Sequence, residues 1–116
     1  MRVVSVDWEV AEDERFTRIV KSGVAEARPE LGHSVHVEAK GLKPGWRYWY
    51  RFRANGEMSP VGTARTATPA GVAVDRLRIG VAACQHYEEG FYTAYRRLGE
   101  VSDLDAIFHY GDYIYE

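Results

Sequence analysis

Apolar and polar residues alternate one by one near the start of the chain. Val4, Val6, Trp8 and Val10 fall on one side, and Ser5, Asp7 and Glu9 on the other. A side-chain period of two is that of a strand with one face buried. The alternation returns weakly over Phe16 to Val24 and clearly at Val35, Val37 and Ala39, which are interleaved with His36, Glu38 and Lys40. From Trp46 to Ala54 it is carried by aromatics, with Tyr48, Tyr50 and Phe52 opposite Trp49, Arg51 and Arg53. A last short strand is predicted in Gly62 to Thr68, and Thr68-Pro69-Ala70-Gly71 punctuates its end. Short strands at roughly ten-residue spacing predict an antiparallel sandwich.

After Gly71 the period changes. Leu77 to Ala82 is almost wholly apolar, as in a strand covered on both faces. Phe91, Ala94, Tyr95, Leu98 and Val101 then recur at helical spacing, with Arg96, Arg97 and Glu100 on the far side. Leu104 to Tyr110 is again strand-like and ends at Gly111-Asp112. Strand, helix and strand in succession predict a βαβ unit with two parallel strands. The expected organisation is a β-domain over 1–69, a linker over 70–76 and the start of an α/β domain over 77–116.

Composition narrows the class without naming a function. At 46% apolar and 28% charged, the chain has the make-up of a globular protein. Its formal charge of -2 offers no electrostatic footprint for nucleic acid or an anionic membrane. The longest run of small and apolar residues is Ile79 to Cys84, far short of the roughly twenty a membrane helix needs. Cys84 is the one cysteine, so an intrachain disulfide is excluded. The N-terminal residues read as a strand, with no basic-then-apolar export signal.

Candidate chemistry follows from topology. In a parallel sheet, functional groups gather beyond the carboxyl ends of the strands. That rule puts Cys84 past the first parallel strand and Asp112 past the second, with Tyr115 three residues further on. A thiolate, a carboxylate and a phenolate around one point form an anionic set better suited to ferric iron than to magnesium or calcium. A second reading stands beside this one. Cys84 is then an inert buried thiol, Gly111-Asp112 an ordinary turn, and Tyr113, Ile114 and Tyr115 core-seeking residues. His86, on the Cys84 loop, fits either a ligand or proton donor or a solvated loop residue. His109 reads as a satisfied core histidine, Glu88 and Glu89 as a solvated loop, and His33 and His36 belong to the β-domain.

Two resemblances add to this reading. Leu42, Pro44-Gly45 and Tyr48 resemble the tyrosine corner of fibronectin type III domains, where the phenol hydrogen-bonds backbone just upstream. A full sandwich of that kind has about seven strands; five are counted here, so the first strand or two is expected to be missing. The run from Val81 through Cys84-Gln85-His86 to Arg96, followed by Gly111-Asp112-Tyr113-Ile114-Tyr115-Glu116, resembles the PhoD-type alkaline phosphatases, a family of metallophosphoesterases. Trp8-Glu9-Val10-Ala11, the stretch from Arg28 to Val37, and Tyr48 to Arg53 resemble the fibronectin-like N-terminal domain of the same family. The fold expected is therefore an all-β fibronectin type III-like sandwich, incomplete, followed by the first βαβ unit of an α/β metallophosphoesterase domain.

The resemblance implies a secreted or cell-surface phosphoric ester hydrolase acting on phosphate monoesters or diesters, with Fe3+ and Ca2+ as cofactors. It implies Cys84 and Tyr115 as iron ligands and Asp112 as the carboxylate shared between iron and calcium. Family members take further ligands from later segments, typically a Gly-Asn-His block, which these 116 residues do not contain. The chain is accordingly expected to be an internal fragment of a longer enzyme, without a complete catalytic set and inactive alone. A non-catalytic β-sandwich binding module is the alternative from another class. Within the enzyme class, a phospholipase D-like phosphodiesterase is the second reading.

Overall fold

The computed structural model describes residues 2–115. They fall into two compact units that divide between Val72 and Ala73.

The first unit is a five-stranded antiparallel sheet built around β1, Val4–Ala11. One edge of β1 pairs with β2, Ile19–Ala27, and the other with β3, Arg47–Ala54. β3 in turn pairs with β4, Glu57–Met58, and with β5, Gly62–Arg65. The β1–β3 register sets Asp7 opposite Arg53 and Glu9 opposite Arg51. Both pairs close into ion pairs, at 3.0 and 2.7 Å respectively. The opposite face of β1 buries Val6 and Val10. Alternation thus separates a charged face from an apolar one, as the sequence predicts.

The β1–β2 loop is organised by a single carboxylate. Asp13 accepts hydrogen bonds from the Thr17 amide and hydroxyl and from the Arg18 amide, at 2.8 to 3.0 Å. These donors hold its carboxyl below the usual range, the Thr17 amide most of all. The loop turns through Phe16, which has φ of 56° and is buried, with the Arg51 guanidinium 4.1 Å from its ring centroid. The weak strand expected over Phe16 to Val24 therefore lies three residues later, because Phe16 belongs to the turn. The β3–β4 hairpin turns through Asn55 and Gly56, both at positive φ, the pairing that two-residue hairpin loops require.

The strand expected at Val35, Val37 and Ala39 does not form among the described residues. Val35, Val37 and Ala39 are half-buried and alternate with exposed neighbours, yet residues 33–40 join no ladder among the described residues. Periodicity reports which side chains face apolar surface; it does not report whether the backbone has found a partner. The hydrogen bond expected of Tyr48 is present. Its side chain is buried, and its hydroxyl accepts from the Lys43 amide at 2.8 Å.

In the second unit β6, Ile79–Ala82, pairs in parallel with β7, Ala106–His109, and α1, Thr93–Gly99, lies between them in the chain. Gly80 is buried at the centre of β6. A Cβ there would stand 2.6 Å from Leu98 Cδ1 and 3.1 Å from Leu104 Cδ1, so the missing side chain is what lets these two leucines pack against the strand. The helix is shorter than its apolar pattern. Tyr92 adopts φ of 50°, outside the helical region, so α1 starts at Thr93. Phe91, expected on the helix's apolar face, is thereby left 96% exposed.

Candidate metal centre

The parallel pairing of β6 and β7 continues, in looser form, into the loops that follow them. Tyr110 N donates to Ala82 O, Cys84 N to Asp112 O at 2.9 Å, Tyr115 N to Gln85 O at 2.7 Å, and Tyr87 N to Tyr115 O at 2.8 Å. His86 and Tyr115 form an isolated parallel bridge. The two loops are thus stitched backbone to backbone, which fixes the register of their side chains.

Cys84 and Asp112 both lie at positive φ, 57° and 49°. Left-handed backbone is uncommon for residues with a Cβ and often accompanies a functional demand on side-chain direction. Its effect here is to bring three polar groups together. Cys84 Sγ is 3.9 Å from Asp112 Oδ2, and the Tyr115 hydroxyl donates toward Cys84 Sγ at 3.8 Å. Cys84 is exposed, which goes against the reading of an inert buried thiol. Hydrogen bonding to Asp112, then to Cys84, with desolvation behind them, pushes the Tyr115 phenol well above its ordinary range. Without a cation, the cluster therefore keeps its phenol protonated.

The other candidates separate from these three. His86 is half-buried; its Nδ1 accepts from the Glu88 amide at 3.2 Å, and its ring lies 6.4 Å from that of Tyr115. His109 is half-buried and hydrogen-bonded to Tyr95, a satisfied histidine as expected. No group of three or more His, Cys, Asp and Glu side chains gathers among the described residues, so the third donor of the cluster is the phenol. Two buried polar atoms close in sequence, Gln85 Oε1 and the Tyr92 hydroxyl, have no hydrogen-bond partner among the described residues.

Sequence reasoning passed over the aromatic surroundings. Tyr95 stacks on Tyr92 and on Tyr113, with ring centroids 6.1 Å apart in both pairs, and His109 meets Tyr113 edge-on at 5.4 Å. The signal was there. Six of the chain's eight tyrosines fall between Tyr87 and Tyr115, more than a small core requires.

A parallel strand pair with a thiol, a carboxylate and a phenol beyond its carboxyl ends is the arrangement seen in the class of α/β proteins whose functional groups gather at a sheet edge. Within that class the family is shown directly. Residues 1–68 match the model of the PhoD-like phosphatase N-terminal domain, and residues 79–116 that of PhoD-like phosphatase. The chain belongs to the PhoD-like phosphatase family. It is 50% identical over 115 residues to alkaline phosphatase D of Bacillus subtilis, an alignment covering 99% of this chain and 20% of that protein. It also superposes on a solved structure of PhoD with a TM-score of 0.92 at 50% identity, covering 99% of this chain and 22% of that one. The chain thus spans about a fifth of the length of the relatives it matches.

Proposed function

We propose that this chain is part of a PhoD-type alkaline phosphatase or phosphodiesterase, and that Cys84, Asp112 and Tyr115 form one side of its metal site. The observation that carries the reading is the meeting of these three side chains in a member of this family. The residues fit an iron ion on their own chemistry. Donor atoms 3.8 to 3.9 Å apart can share one cation at coordination distances of about 2 Å. The hydrogen bonds to Asp112 and Cys84 that raise the Tyr115 phenol bring acceptor atoms together that a cation would also attract. Cys84 and Tyr115 would hold Fe3+, and Asp112 would be shared between Fe3+ and Ca2+. Bound metals supply Lewis acidity toward a phosphoryl oxygen and toward an oxygen nucleophile.

The chain's own residues prepare that site. The loop-to-loop hydrogen bonds hold Cys84 and Asp112 in unfavourable backbone conformations, so both donors stand in place before a ligand arrives. Tyr115 would give up its phenol proton on joining the ion as a ligand. Under the same reading, the first unit is a fibronectin type III-like domain, supported by the Tyr48 corner, and β6-α1-β7 is the opening βαβ unit of the catalytic sheet. Secretion of the whole enzyme belongs to it as well, on the resemblance. Three donors from one side leave the rest of the coordination sphere to groups elsewhere. The 116 residues alone therefore bind iron without turning over p-nitrophenyl phosphate.

Titration of the chain with ferric citrate tests the reading. Stoichiometric iron uptake with a tyrosinate-to-iron absorption band is expected. Tyr115→Phe abolishes the band, and Cys84→Ala weakens uptake by more than the roughly 10–100-fold typical of losing an outer partner of a metal ligand. Uptake indifferent to both substitutions overturns the proposal.

A further inference from the structure

Gly111 and Tyr113 flank Asp112, and both of their backbones are held by the same two side chains. The Gly111 amide donates to His109 Nδ1 at 3.3 Å. His109 Nε2 lies 2.8 Å from the Tyr95 hydroxyl, which donates to the Tyr113 carbonyl at 3.0 Å. The direction of every proton in this chain follows from the one group that cannot reverse. An amide only donates, so His109 Nδ1 accepts and carries no proton. The neutral ring then has its proton on Nε2, directed at the Tyr95 oxygen. The single Tyr95 proton is left for a carbonyl, which only accepts. No link has an alternative that keeps the others.

We infer that Tyr95 and His109 are positioning residues that clamp the turn carrying Asp112. The turn needs holding: Gly111 has φ of 118° and Asp112 of 49°, both in the left-handed region that residues with a Cβ rarely adopt. The clamp grips the Gly111 amide and the Tyr113 carbonyl, which belong to the peptide units just outside the two that flank the Asp112 Cα, and so bridges the turn from one side to the other. It is backed by ring packing, with Tyr95 stacked on Tyr113 at an interplanar angle of 21° and His109 set against both rings at 64° and 68°. With the turn held, Asp112 O receives the Cys84 amide and the Asp112 carboxylate faces Cys84. The clamp reaches α1 through Tyr95, so the helix takes part in the site without contributing a donor to it. This inference rests on the proposed metal centre for its purpose, but not for its geometry.

The test uses the full chain, labelled with 15N. In the metal-free protein, the His109 ring is expected in the Nε2–H form, and Asp112 is expected to show the strong intraresidue amide-to-Hα NOE of positive φ. In Tyr95→Phe that NOE weakens, while the β6–β7 amide shifts stay in place. With ferric citrate, affinity falls about 10–100-fold in that variant. Two half-clamps guard against a folding artefact. His109→Gln reaches Tyr95 but not the Gly111 amide, and His109→Asn does the reverse. Both should fall between the unsubstituted chain and His109→Ala. A proton found on His109 Nδ1, or an unchanged Asp112 intraresidue NOE in Tyr95→Phe, overturns the clamp. If the unsubstituted chain takes up no iron, the metal reading fails, and the tautomer and NOE still decide the clamp.

Discussion

Tyr115 shows most plainly how a few ångströms set the chemistry of a residue. Its phenol is raised because the carboxylate of Asp112 and the sulfur of Cys84 accept from it and because negative charge beside a phenolate is unfavourable. The sign follows. A raised acid stays protonated through neutral pH, so a cation binding as to a phenolate must expel that proton, and its affinity must rise with pH. Iron affinity measured at a series of pH values with a competing chelator should increase upward through neutrality. Tyr115→Phe should flatten the slope by about one proton per ion bound. Tyr48 carries a different kind of load. Its hydroxyl satisfies the Lys43 amide from a site that is only 2% exposed, so Tyr48→Phe leaves an amide without its partner. Urea unfolding should record a loss of about 1 kcal/mol.

At the scale of elements, the first unit is held by charge on one face and apolar packing on the other. Glu12 accepts from Lys43 at 2.8 Å, a bond that lowers its carboxyl along with the attraction of Lys43 and Arg18. Asp13 is lowered by the loop it organises. For carboxyls depressed in the folded state, the added stability is complete above their unfolded values. It is lost as pH falls through the folded ones. Acid titration followed by tryptophan fluorescence should therefore show the β-unit weakening only below the ordinary carboxylate range, and Asp13→Asn should remove part of that dependence. In the second unit the fit of α1 onto β6 depends on Gly80 having no side chain. Gly80→Ala forces Leu98 and Leu104 aside and should destabilise this unit by about 1–3 kcal/mol, read from thermal melts.

Across the whole molecule, the parallel strand pair presents large apolar side chains to solvent. Ile79, Val81, Ile107 and Phe108 are 49%, 61%, 59% and 59% exposed, so the strand expected to be covered on both faces is open on one among the described residues. Apolar area of this kind favours association. Sedimentation velocity on the chain should show concentration-dependent oligomers, reduced in Phe108→Ser; a strict monomer at all concentrations would count against it.

How much of this was legible beforehand differs from element to element. β1 and β3 were plain because each buries one face and wets the other, so the sheet's geometry is printed in their side chains. The three donors were legible as positions, because strand ends in a parallel sheet converge on one edge. Their meeting was not. It depends on left-handed backbone at Cys84 and Asp112; an Asp tolerates that conformation, but nothing in a cysteine side chain announces it. Residues 33–40 mislead for the opposite reason, since alternation records burial and is silent about backbone partners.

The sequence by itself determined β1 and β3 with their apolar and charged faces, the strand–helix–strand order of the second unit, and the positions of Cys84, Asp112 and Tyr115 past its strands. Each is a local property, set by side-chain period and by the chemistry of single groups. Tertiary structure alone decided that the Tyr95–His109 clamp would grip both sides of Asp112, and that Phe91 would stand in solvent while Gly80 admitted Leu98 and Leu104. Contacts of this kind join residues distant in the chain through φ values and register. Only the assembled backbone specifies those.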